Sequence, residues 1–559
     1  MFLGWALADN ILNPKAYDYE STIYKLLSSP TTNTPRVKLK RLPSLQFNVK
    51  CPKGGVFMRV WITTVGTSPF AVFNSLWMAI AGDSYYPDKV YLLWNDKVKG
   101  NMEKVRAYIE ALAKAYGRTI AIDDTHKVDE EDFRTFTKTL AEIIKREKLE
   151  GNEVAIDMTP GRKFMSAFSM YAGIEGVEGG KFKADRVYYL HLRDLSYMNL
   201  PLYLIPFSIQ ELLEMKSELG GKERTKEPLR IEGEKEEVKV TREELMAVIN
   251  QEFLLGRESF KVKILNKEVA TISLRENENV ATVSVVKNLS LPSYMGDYGL
   301  FNSVLNASGI RELKATLDGE KWMGEEELYR WLLSKIREKE TQYITFDTNS
   351  LIFGIPQRFL EFLDRQRDKA YSLNLAISRI VEIELTREKA KILKDGRFFD
   401  EYVPDSDYWN QPSPKDRLFK LGQLQLRFLN ERNAILIEPT REGRGDDVIL
   451  ESFVEFLRKN EGELIVFTSD KNFFGNLRHL RDITPIYVGF GEIRKHVRWE
   501  NFRDFIFASA VVFGKVSVSG IGEVKAVWRG KNPWEWDRVK VSLKPEARKA
   551  IEVIRTVKA

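Results

Sequence analysis

Short apolar runs alternate with amphipathic segments in two separate stretches of the chain. Between Met58 and about Met215, the runs RVWITT, KVYLLW, TIAID, EVAIDM and RVYYLHL are separated by segments of helical periodicity. From Thr341 to about Lys495, the runs QYITFD, NAILIEP, ELIVFTSD and TPIYVG are separated in the same way. Such alternation predicts parallel strands covered by helices on both faces. We therefore predict two α/β domains.

The remaining segments have weaker patterns. Residues 1–57 are rich in Asn, Pro, Ser and Thr without sustained periodicity, and form either an extension or a small element packed on the first domain. Residues 216–340 combine a charged linker with a small α+β connector. Residues 496–559 predict a helix, a little antiparallel sheet and a terminal helix. The predicted fold class is α/β multidomain, with the α/β domains at 58–215 and 341–495.

Composition narrows this picture only slightly. The 559 residues are 43% hydrophobic and 30% charged, which is typical of several globular domains, and the formal net charge of +6 permits a nucleic-acid partner without arguing for one. The single cysteine, Cys51, excludes an internal disulfide, and the four histidines are scattered. No apolar run reaches the roughly 18–20 residues that span a bilayer, and no secretory signal is evident. We expect a cytoplasmic protein without a membrane partner.

Acidic residues follow the strands of the second α/β domain. Asp347 ends YITFD, Asp470 ends LIVFTSD, and Asp446 and Asp447 open a helix after GRG. Glu384 lies on an apolar helix that the pattern begins near residue 376. Open α/β sheets bind ligands beyond the carboxyl ends of their strands, although a single acid there is more often a helix cap or a surface residue. As a group these carboxylates predict a Mg²⁺ or Mn²⁺ site suited to phosphodiester cleavage.

The motif order DTN, IVEIEL, GDDVIL and FTSDKNF resembles that of the PIN-domain nucleases, over roughly residues 341–495. That family cuts mostly single-stranded RNA with Mg²⁺ or Mn²⁺, and Ser469 or Asn472 would support the last ligand. The chain departs from the pattern in a long insertion at roughly 396–425, which bears on the path of the substrate. The resemblance implies, in motif order, metal ligands at Asp347, Glu384, either Asp446 or Asp447, and Asp470. Nearby basic residues are either phosphate contacts or ordinary surface charge: Arg441, Arg444, Lys471, Arg478 and Arg481.

Two loops in the first α/β domain follow buried strands and open helices. In TTVGTSP (63–69), Gly66 permits a tight turn. The hydroxyls of Thr67 and Ser68 and the free N–H groups at the helix N-terminus offer hydrogen bonds to a phosphate or a ribose. In DMTPGRK (157–163), Gly161 permits close backbone approach, and Arg162 and Lys163 supply positive charge. Neither loop is a GxGxxG fingerprint or a P-loop, so a dinucleotide coenzyme or ATP is not favoured.

Together these loops resemble the CARF domain, the Rossmann-like sensor of CRISPR systems, over about residues 58–210. That family binds cyclic oligoadenylates across a homodimer, whose two-fold symmetry suits a symmetric ring. The resemblance leaves ring size open. It implies a pocket lined by Val65, Gly66, Thr67, Ser68, Asn74, Thr159, Pro160, Gly161, Arg162 and Lys163.

The two resemblances combine into a CARF sensor fused to a PIN nuclease, of the kind that archaeal type III CRISPR defence would use. We therefore expect a homodimeric, metal-dependent endoribonuclease that cyclic oligoadenylate activates against single-stranded RNA. The alternative is a ligand-binding regulatory protein with an inactive or DNA-directed nuclease domain. His479 and His496 do not fit the R-x4-6-H signature of HEPN nucleases. Trp528, Trp534 and Trp536 form either a small core or a stacking surface for nucleic acid.

Overall fold

Three β-sheets organise the described part of the chain. The computed structural model describes residues 57–129, 131–221, 227–286, 298–338, 342–364, 373–387, 412, 414–443, 445–526 and 537–558. Several predictions lie outside these ranges: the extension at 1–56, most of the insertion at 396–425, Arg444, and the tryptophans Trp528, Trp534 and Trp536. No helix within the described ranges is both long and apolar enough to span a bilayer.

The first sheet has six strands in the order β3-β2-β1-β4-β5-β6, with only the edge strand β6 antiparallel. Its strands are β1 Arg59–Thr64, β2 Lys89–Leu93, β3 Ala121–Asp123, β4 Glu153–Asp157, β5 Arg186–Leu192 and β6 Gln210–Glu214. Its helices are α1 Pro69–Asp83, α2 Lys99–Ala115, α3 Phe133–Leu149, α4 Lys163–Ile174 and α5 Met215–Leu219. Alternate residues of β1 enter two different cores, Trp61 with α1 and Ile62 with α3, so helices cover both faces as the alternation predicts.

The next segment contributes strands to two other sheets. Its strands are β7 Glu236–Thr241, β8 Ser259–Ile264, β9 Lys267–Leu274, β10 Ala281–Val285, β11 Arg311–Thr316 and β12 Met323–Gly324. Its helices are α6 Leu245–Leu254, α7 Tyr298–Ala307 and α8 Glu325–Glu338.

A seven-stranded sheet forms the second α/β domain, in the order β12-β11-β17-β16-β13-β14-β15. Its remaining strands are β13 Gln342–Phe346, β14 Asn374–Ser378, β15 Ile435–Ile437, β16 Glu463–Thr468 and β17 Ile483–Ile493. Strands β13 to β17 pair in parallel, whereas β11 and β12 add an antiparallel edge. Its helices are α9 Thr348–Ile352, α10 Ile355–Asp364, α11 Arg379–Arg387, α12 Pro414–Asn430, α13 Asp446–Lys459 and α14 Lys471–Leu477.

The C-terminal segment does not form a little sheet of its own, which corrects the sequence prediction. It comprises β18 His496–Val497, α15 Trp499–Phe513, β19 Lys515–Val518, β20 Gly522–Lys525, β21 Arg538–Leu543 and α16 Pro545–Lys558. Its strands join β7 to β10 in one eight-stranded antiparallel sheet, in the order β18-β10-β9-β8-β19-β20-β21-β7. Pairing between strands more than 200 residues apart is set by tertiary packing, so local pattern could not reveal it.

A second correction concerns the helix that carries Glu384. It begins at Arg379 rather than near residue 376, because Asn374–Ser378 is the buried parallel strand β14. A buried parallel strand is a continuous apolar run, and periodicity alone does not separate such a run from a buried helix. The correction moves Glu384 into the second turn of a helix that starts at the sheet edge.

Candidate functional sites

Two of the predicted acids lie at the switch point of the seven-stranded sheet. The chain runs from β13 outward to β14 and β15, then returns to β16 beside β13. Ligands of open α/β sheets bind in the crevice at such a reversal. Asp347 directly follows β13 and Asp470 lies two residues beyond β16, so both flank that crevice. The Asp347 N–H donates to the Phe467 carbonyl at 2.9 Å, which ties the two strand ends together.

The Asp347 carboxylate is held by donors on both of its oxygens. Oδ1 accepts from the Ser350 N–H at 2.6 Å, so the residue also caps α9. Oδ2 accepts from the Thr468 hydroxyl at 2.6 Å and from the Ser469 N–H at 3.0 Å. Burial raises the pKa of Asp347, and the hydrogen bonds from Thr468 and Ser350 oppose that rise. The side chain is therefore fixed in orientation from both strands.

Asp470 caps α14 with one oxygen and leaves the other available. Its Oδ1 accepts from the N–H groups of Asn472 at 2.7 Å and Phe473 at 2.9 Å. Among the described residues, no donor reaches Oδ2 within hydrogen-bond distance. For Asp470, the cap and the metal-ligand interpretations therefore do not exclude one another.

Glu384 is linked to the segment of Asp347 through Thr348, the residue that follows Asp347 in the chain. The Thr348 hydroxyl donates to Glu384 Oε2 at 2.5 Å, which draws α11 toward the start of α9. Sequence reasoning did not assign a role to Thr348, although it is the middle residue of the DTN motif. Its contact fixes one oxygen of the second predicted ligand beside the start of α9.

The two adjacent aspartates after GRG differ in their surroundings. Asp447 is paired with Arg441, and this hydrogen bond lowers the pKa of Asp447. Desolvation raises the pKa of Asp446, and the negative charges of Asp470, Asp347 and Asp447 raise it further. Asp446 thus lies within electrostatic reach of the crevice acids, whereas the charge of Asp447 is already balanced.

The acids converge on one edge without forming a closed ligand set. Within the described ranges, no three His, Cys, Asp or Glu side chains are grouped tightly enough to hold one ion. Two buried hydroxyls at the same edge, those of Ser378 and Ser469, have no hydrogen-bond partner among the described residues. Carboxylates and hydroxyls are the hard oxygen ligands that Mg²⁺ and Mn²⁺ prefer, so the donor set fits such an ion chemically.

The predicted phosphate contacts remain surface residues. Arg441 pairs with Asp447 and Glu451, and Arg481 lies 3.7 Å from Asp482 with most of its side chain exposed. Lys471 is exposed at the start of α14, directly after Asp470, whereas Arg478 is exposed just beyond the far end of that helix. Lys471 therefore lies nearest to Asp470, and Arg441 is paired with carboxylates at the start of α13.

The two glycine-containing loops flank the switch point of the first sheet. The chain runs outward from β1 to β2 and β3 and returns to β4 beside β1. One loop follows β1 and the other follows β4, and the Thr64 hydroxyl donates to the Pro160 carbonyl at 2.8 Å. Gly161 has φ +101°, and a Cβ there would lie 2.6 Å from the Thr64 hydroxyl oxygen. Only glycine fits this close approach.

The residues predicted to line a pocket divide into two groups. Thr67, Gly161, Arg162 and Lys163 are exposed at the carboxyl edge of the sheet, whereas Val65, Ser68, Asn74 and Pro160 are buried, and Gly66 and Thr159 are intermediate. The Asn74 amide donates to the Leu200 carbonyl and accepts from the Leu202 N–H, both at 2.9 Å. Ser68 donates to the Met198 carbonyl at 3.3 Å. These two side chains hold the segment at 198–202 against the loop.

Two residues that sequence reasoning did not assign also shape these loops. Asn101 donates to the carbonyls of Gly66 and Thr67 at 3.1 and 3.0 Å. Asp157, the first residue of DMTPGRK, is 2% exposed beneath the second loop. Asp157 accepts from the hydroxyls of Thr63 and Ser75 at 2.9 and 2.5 Å, and from the Thr159 N–H at 2.9 Å. Its acidity was visible in the motif, but its burial was not.

Burial of Asp157 predicts a pH dependence of stability. Burial raises its pKa from 3.8 to about 6, against the opposing hydrogen bonds from Ser75 and Thr159. Because the folded-state pKa is the higher one, the stabilising contribution is complete below about pH 4 and is lost as pH rises through about 6. We expect Asp157→Asn to gain stability relative to wild type over this window, by up to about 3 kcal/mol. Thermal unfolding from pH 4 to 7 measures this, with the exposed Asp129→Asn as a control that should show no such trend.

A polar junction connects the segment beside the first loop to the eight-stranded sheet. The Tyr197 hydroxyl donates to Glu500 at the start of α15, and accepts from Asn279 at 2.9 Å and from Arg498 at 3.2 Å. Burial by itself raises the pKa of Glu500. The positive charge of Arg498 and the hydrogen bond from Tyr197 lower the pKa by more than burial raises it, so the pKa of Glu500 lies below its usual value. Further along α15, Asp504 pairs with Arg242.

The same junction continues to the seven-stranded sheet. Arg242 lies 3.4 Å from Glu361 on α10, and the buried Arg417 of α12 donates to the Val511 carbonyl of α15 at 2.6 Å. Helix α12 packs against α9 and α11, and Gln423 donates to the Leu385 carbonyl. Side chains on α10, α12 and α15 thus join the loop edge of the first sheet to the helices that carry Thr348 and Glu384.

Comparison with known proteins gives only distant likenesses. No protein-family model and no curated protein matches the chain. A solved structure of Csm6 from Enterococcus italicus, bound to cyclic hexa-2'-fluoro-hexa-dAMP, is similar at 17% identity and TM-score 0.19, over 24% of this chain and 33% of that one. A type III CRISPR defence DNA nuclease activated by cyclic oligoadenylate is similar at 18% identity and TM-score 0.18, over 31% of this chain and 23% of that one. This chain therefore spans about a third and about a quarter of those proteins, and at these TM-scores neither likeness supports a functional inference.

Proposed function

We propose that the seven-stranded sheet carries a metal-dependent nuclease site, and that the first sheet carries a ligand site that controls it. The observation behind the nuclease proposal is the position of Asp347 and Asp470 on either side of the β13–β16 switch point, with Asp446 near enough for their negative charges to raise its pKa. Concentrated negative charge of this kind is costly to a fold unless a cation offsets it. The substrate we assign is single-stranded RNA, by the resemblance of the motifs to PIN-domain nucleases.

The residues that would hold Mg²⁺ or Mn²⁺ are Asp347, Glu384, Asp446 and Asp470. When bound, such an ion supplies a water of lowered pKa and offsets the charge that develops on the phosphate. The chain's own residues fix the ligands: Thr468 and Ser469 orient Asp347, and Thr348 orients Glu384. The Ser469 hydroxyl, which has no hydrogen-bond partner among the described residues, would donate to a phosphate oxygen or a water. Lys471 at the start of α14, and Arg478 beyond its end, offer positive charge to the substrate backbone.

The surroundings of Asp446 and Asp447 favour Asp446 as the third ligand, and metal binding tests the choice. A ligand that binds only the folded state stabilises it by about 2.7 kcal/mol at a hundred times its Kd. We expect added Mn²⁺ to raise the Tm of wild type and of Asp447→Asn, and to leave that of Asp446→Asn nearly unchanged. Thermal unfolding with Mn²⁺ or EDTA measures this. The reverse ranking of the two variants would assign the site to Asp447.

The ligand we propose for the first sheet is a cyclic oligoadenylate bound across a homodimer. The support is the resemblance of the two loops to the CARF domain, together with their placement on either side of the β1–β4 switch point. Exposed Arg162 and Lys163 offer charge to phosphates, and Gly161 brings the backbone close. A two-fold ring would meet the same loops from both subunits. The wider role we propose is defence within a type III CRISPR system.

The deciding experiment is a cleavage assay across cyclic adenylates of different ring size. Fluorescent single-stranded RNA and DNA of the same sequence would be incubated with the chain, with Mn²⁺ or EDTA, and with each ring. We expect Mn²⁺-dependent RNA cleavage that one ring size accelerates. Cleavage of DNA alone would favour the DNA-directed alternative, and tight ring binding without cleavage of either polymer would favour a regulatory protein with an inactive nuclease domain.

A further inference from the structure

The outer face of the eight-stranded sheet carries four lysines in one row. The strand registers place Lys515 opposite Lys525, Lys525 opposite Lys540, and Lys540 opposite Lys239. The row therefore crosses the four neighbouring strands β19, β20, β21 and β7. Strands in a sheet lie roughly 4.8 Å apart, so the row spans roughly 14 Å.

The other face of these strands is a closed hydrophobic core. Val516, Val524, Val541 and Val240 are at most 1% exposed and pack with helices α15 and α16. Because side chains alternate between the faces of a strand, the lysines point away from that core. The Lys515, Lys525 and Lys540 side chains are about a fifth exposed, and Lys239 is exposed.

Two carboxylates in the next row contact these lysines. Glu523 pairs with Lys515 and lies 3.6 Å from Lys525, and Glu237 lies 3.0 Å from Lys540. Both carboxylates are nearly half exposed. Like charges directly opposite one another destabilise a sheet, and these two carboxylates offset that repulsion for Lys515, Lys525 and Lys540. A polyanion that binds this face would compete with the two carboxylates for the lysines.

We propose that this row binds the phosphate backbone of a nucleic-acid strand, outside the carboxylate crevice. A line of cations at a regular spacing complements a polyanion, and Arg538 and Lys263 extend the positive charge on the same face. Ser517 and Ser542 add hydroxyl donors between the charges. Protein-docking surfaces are enriched in aromatic anchors, and the outward positions of the described strands hold charged and hydroxyl residues instead.

The row is attached to the helix that supports the proposed nuclease site. Ala526, next to Lys525, accepts a hydrogen bond from Arg417 of α12 at 2.5 Å, and Asp537 at the start of β21 pairs with Arg427 of α12 at 3.1 Å. Helix α12 in turn packs on α9 and α11. The inference rests on the proposed function for the identity of the strand as RNA, and α12 would keep the bound strand in fixed relation to the crevice.

The test is RNA binding in EDTA, where cleavage cannot occur. Fluorescence anisotropy with a labelled single-stranded RNA gives Kd at several salt concentrations. We expect the fourfold variant K239Q/K515Q/K525Q/K540Q to bind roughly tenfold or more weakly, and its slope of log K against log salt to fall by about 2.8, or 0.7 for each lost phosphate contact. The variant E237Q/E523Q, which removes the competing carboxylates, should bind more tightly than wild type.

A matched control separates this row from general charge loss. K104Q/K114Q/K138Q/K459Q removes four exposed lysines that lie on helices rather than on the eight-stranded sheet. This variant should leave the slope of log K against log salt close to that of wild type. An unchanged slope in the lysine-row variant, or an equal fall in the control, would overturn the proposal. So would lysine-row-dependent binding to phosphatidylserine vesicles in place of RNA. Because binding is measured without metal, a failure of the nuclease proposal would appear separately, as no cleavage in Mn²⁺.

Discussion

Asp470→Asn is expected to abolish Mn²⁺-dependent cleavage while leaving the fold intact. Asn keeps the oxygen that accepts from the N–H groups of Asn472 and Phe473, and Asn caps helices about as well as Asp. What the variant loses is the negative charge and the second carboxylate oxygen, which carries no hydrogen bond from the described residues. Residues that only support metal ligands are worth 10- to 100-fold in activity, so loss of a ligand should cost more than roughly a hundredfold.

The chain offers a matched control for this variant. Asp132 caps α3 through the same backbone contacts, with Oδ1 accepting from the N–H groups of Arg134 and Thr135 at 2.8 and 3.3 Å, and its Oδ2 also accepts from the Thr135 hydroxyl. Asp132→Asn makes the same chemical change far from the crevice and should keep wild-type rates. Initial rates against Mn²⁺ concentration, with Tm for each variant, compare the two. Equal activity of Asp470→Asn and wild type would remove Asp470 from the site and with it the nuclease proposal.

Tyr197→Phe is expected to uncouple the ligand site from the nuclease site. The change removes one hydroxyl, and with it the contacts to Glu500, Asn279 and Arg498 that join the segment beside Ser68 to α15. Allosteric coupling is commonly worth 5- to 150-fold in affinity, and we expect the variant to lose most of the stimulation by cyclic adenylate. The basal Mn²⁺-dependent rate should change little, because Tyr197 touches neither proposed site directly.

Two measurements distinguish uncoupling from simple damage. Ring binding by calorimetry should stay close to wild type in Tyr197→Phe, while the stimulated rate falls toward the basal rate. Tyr203→Phe is the control, since that buried hydroxyl contacts Gln251 at 2.9 Å and does not reach α15. Full stimulation in Tyr197→Phe would show that the signal does not pass through this junction.

The sequence alone identified the elements whose signal is local. Apolar runs between helical segments predicted both parallel sheets, and the residues after those runs predicted where polar groups would gather. The positions of Asp347 and Asp470 at strand ends were predicted because an acid just after a buried apolar run is a local pattern. The two glycine-containing loops were found for the same reason. The strand Asn374–Ser378 was missed because a short buried strand and a buried helix share one apolar pattern.

Everything that depends on contacts between distant residues was decided by the tertiary structure. Asp446 and Asp447 are equivalent in sequence, and only the positions of Asp347, Asp470 and Arg441 around them make them different. The lysine row depends on the registers of four strands, and its last member, Lys239, lies on a strand hundreds of residues before the one that it pairs with. Periodicity records which face of an element is buried, whereas the partner that covers that face is set by the free energy of packing the whole chain.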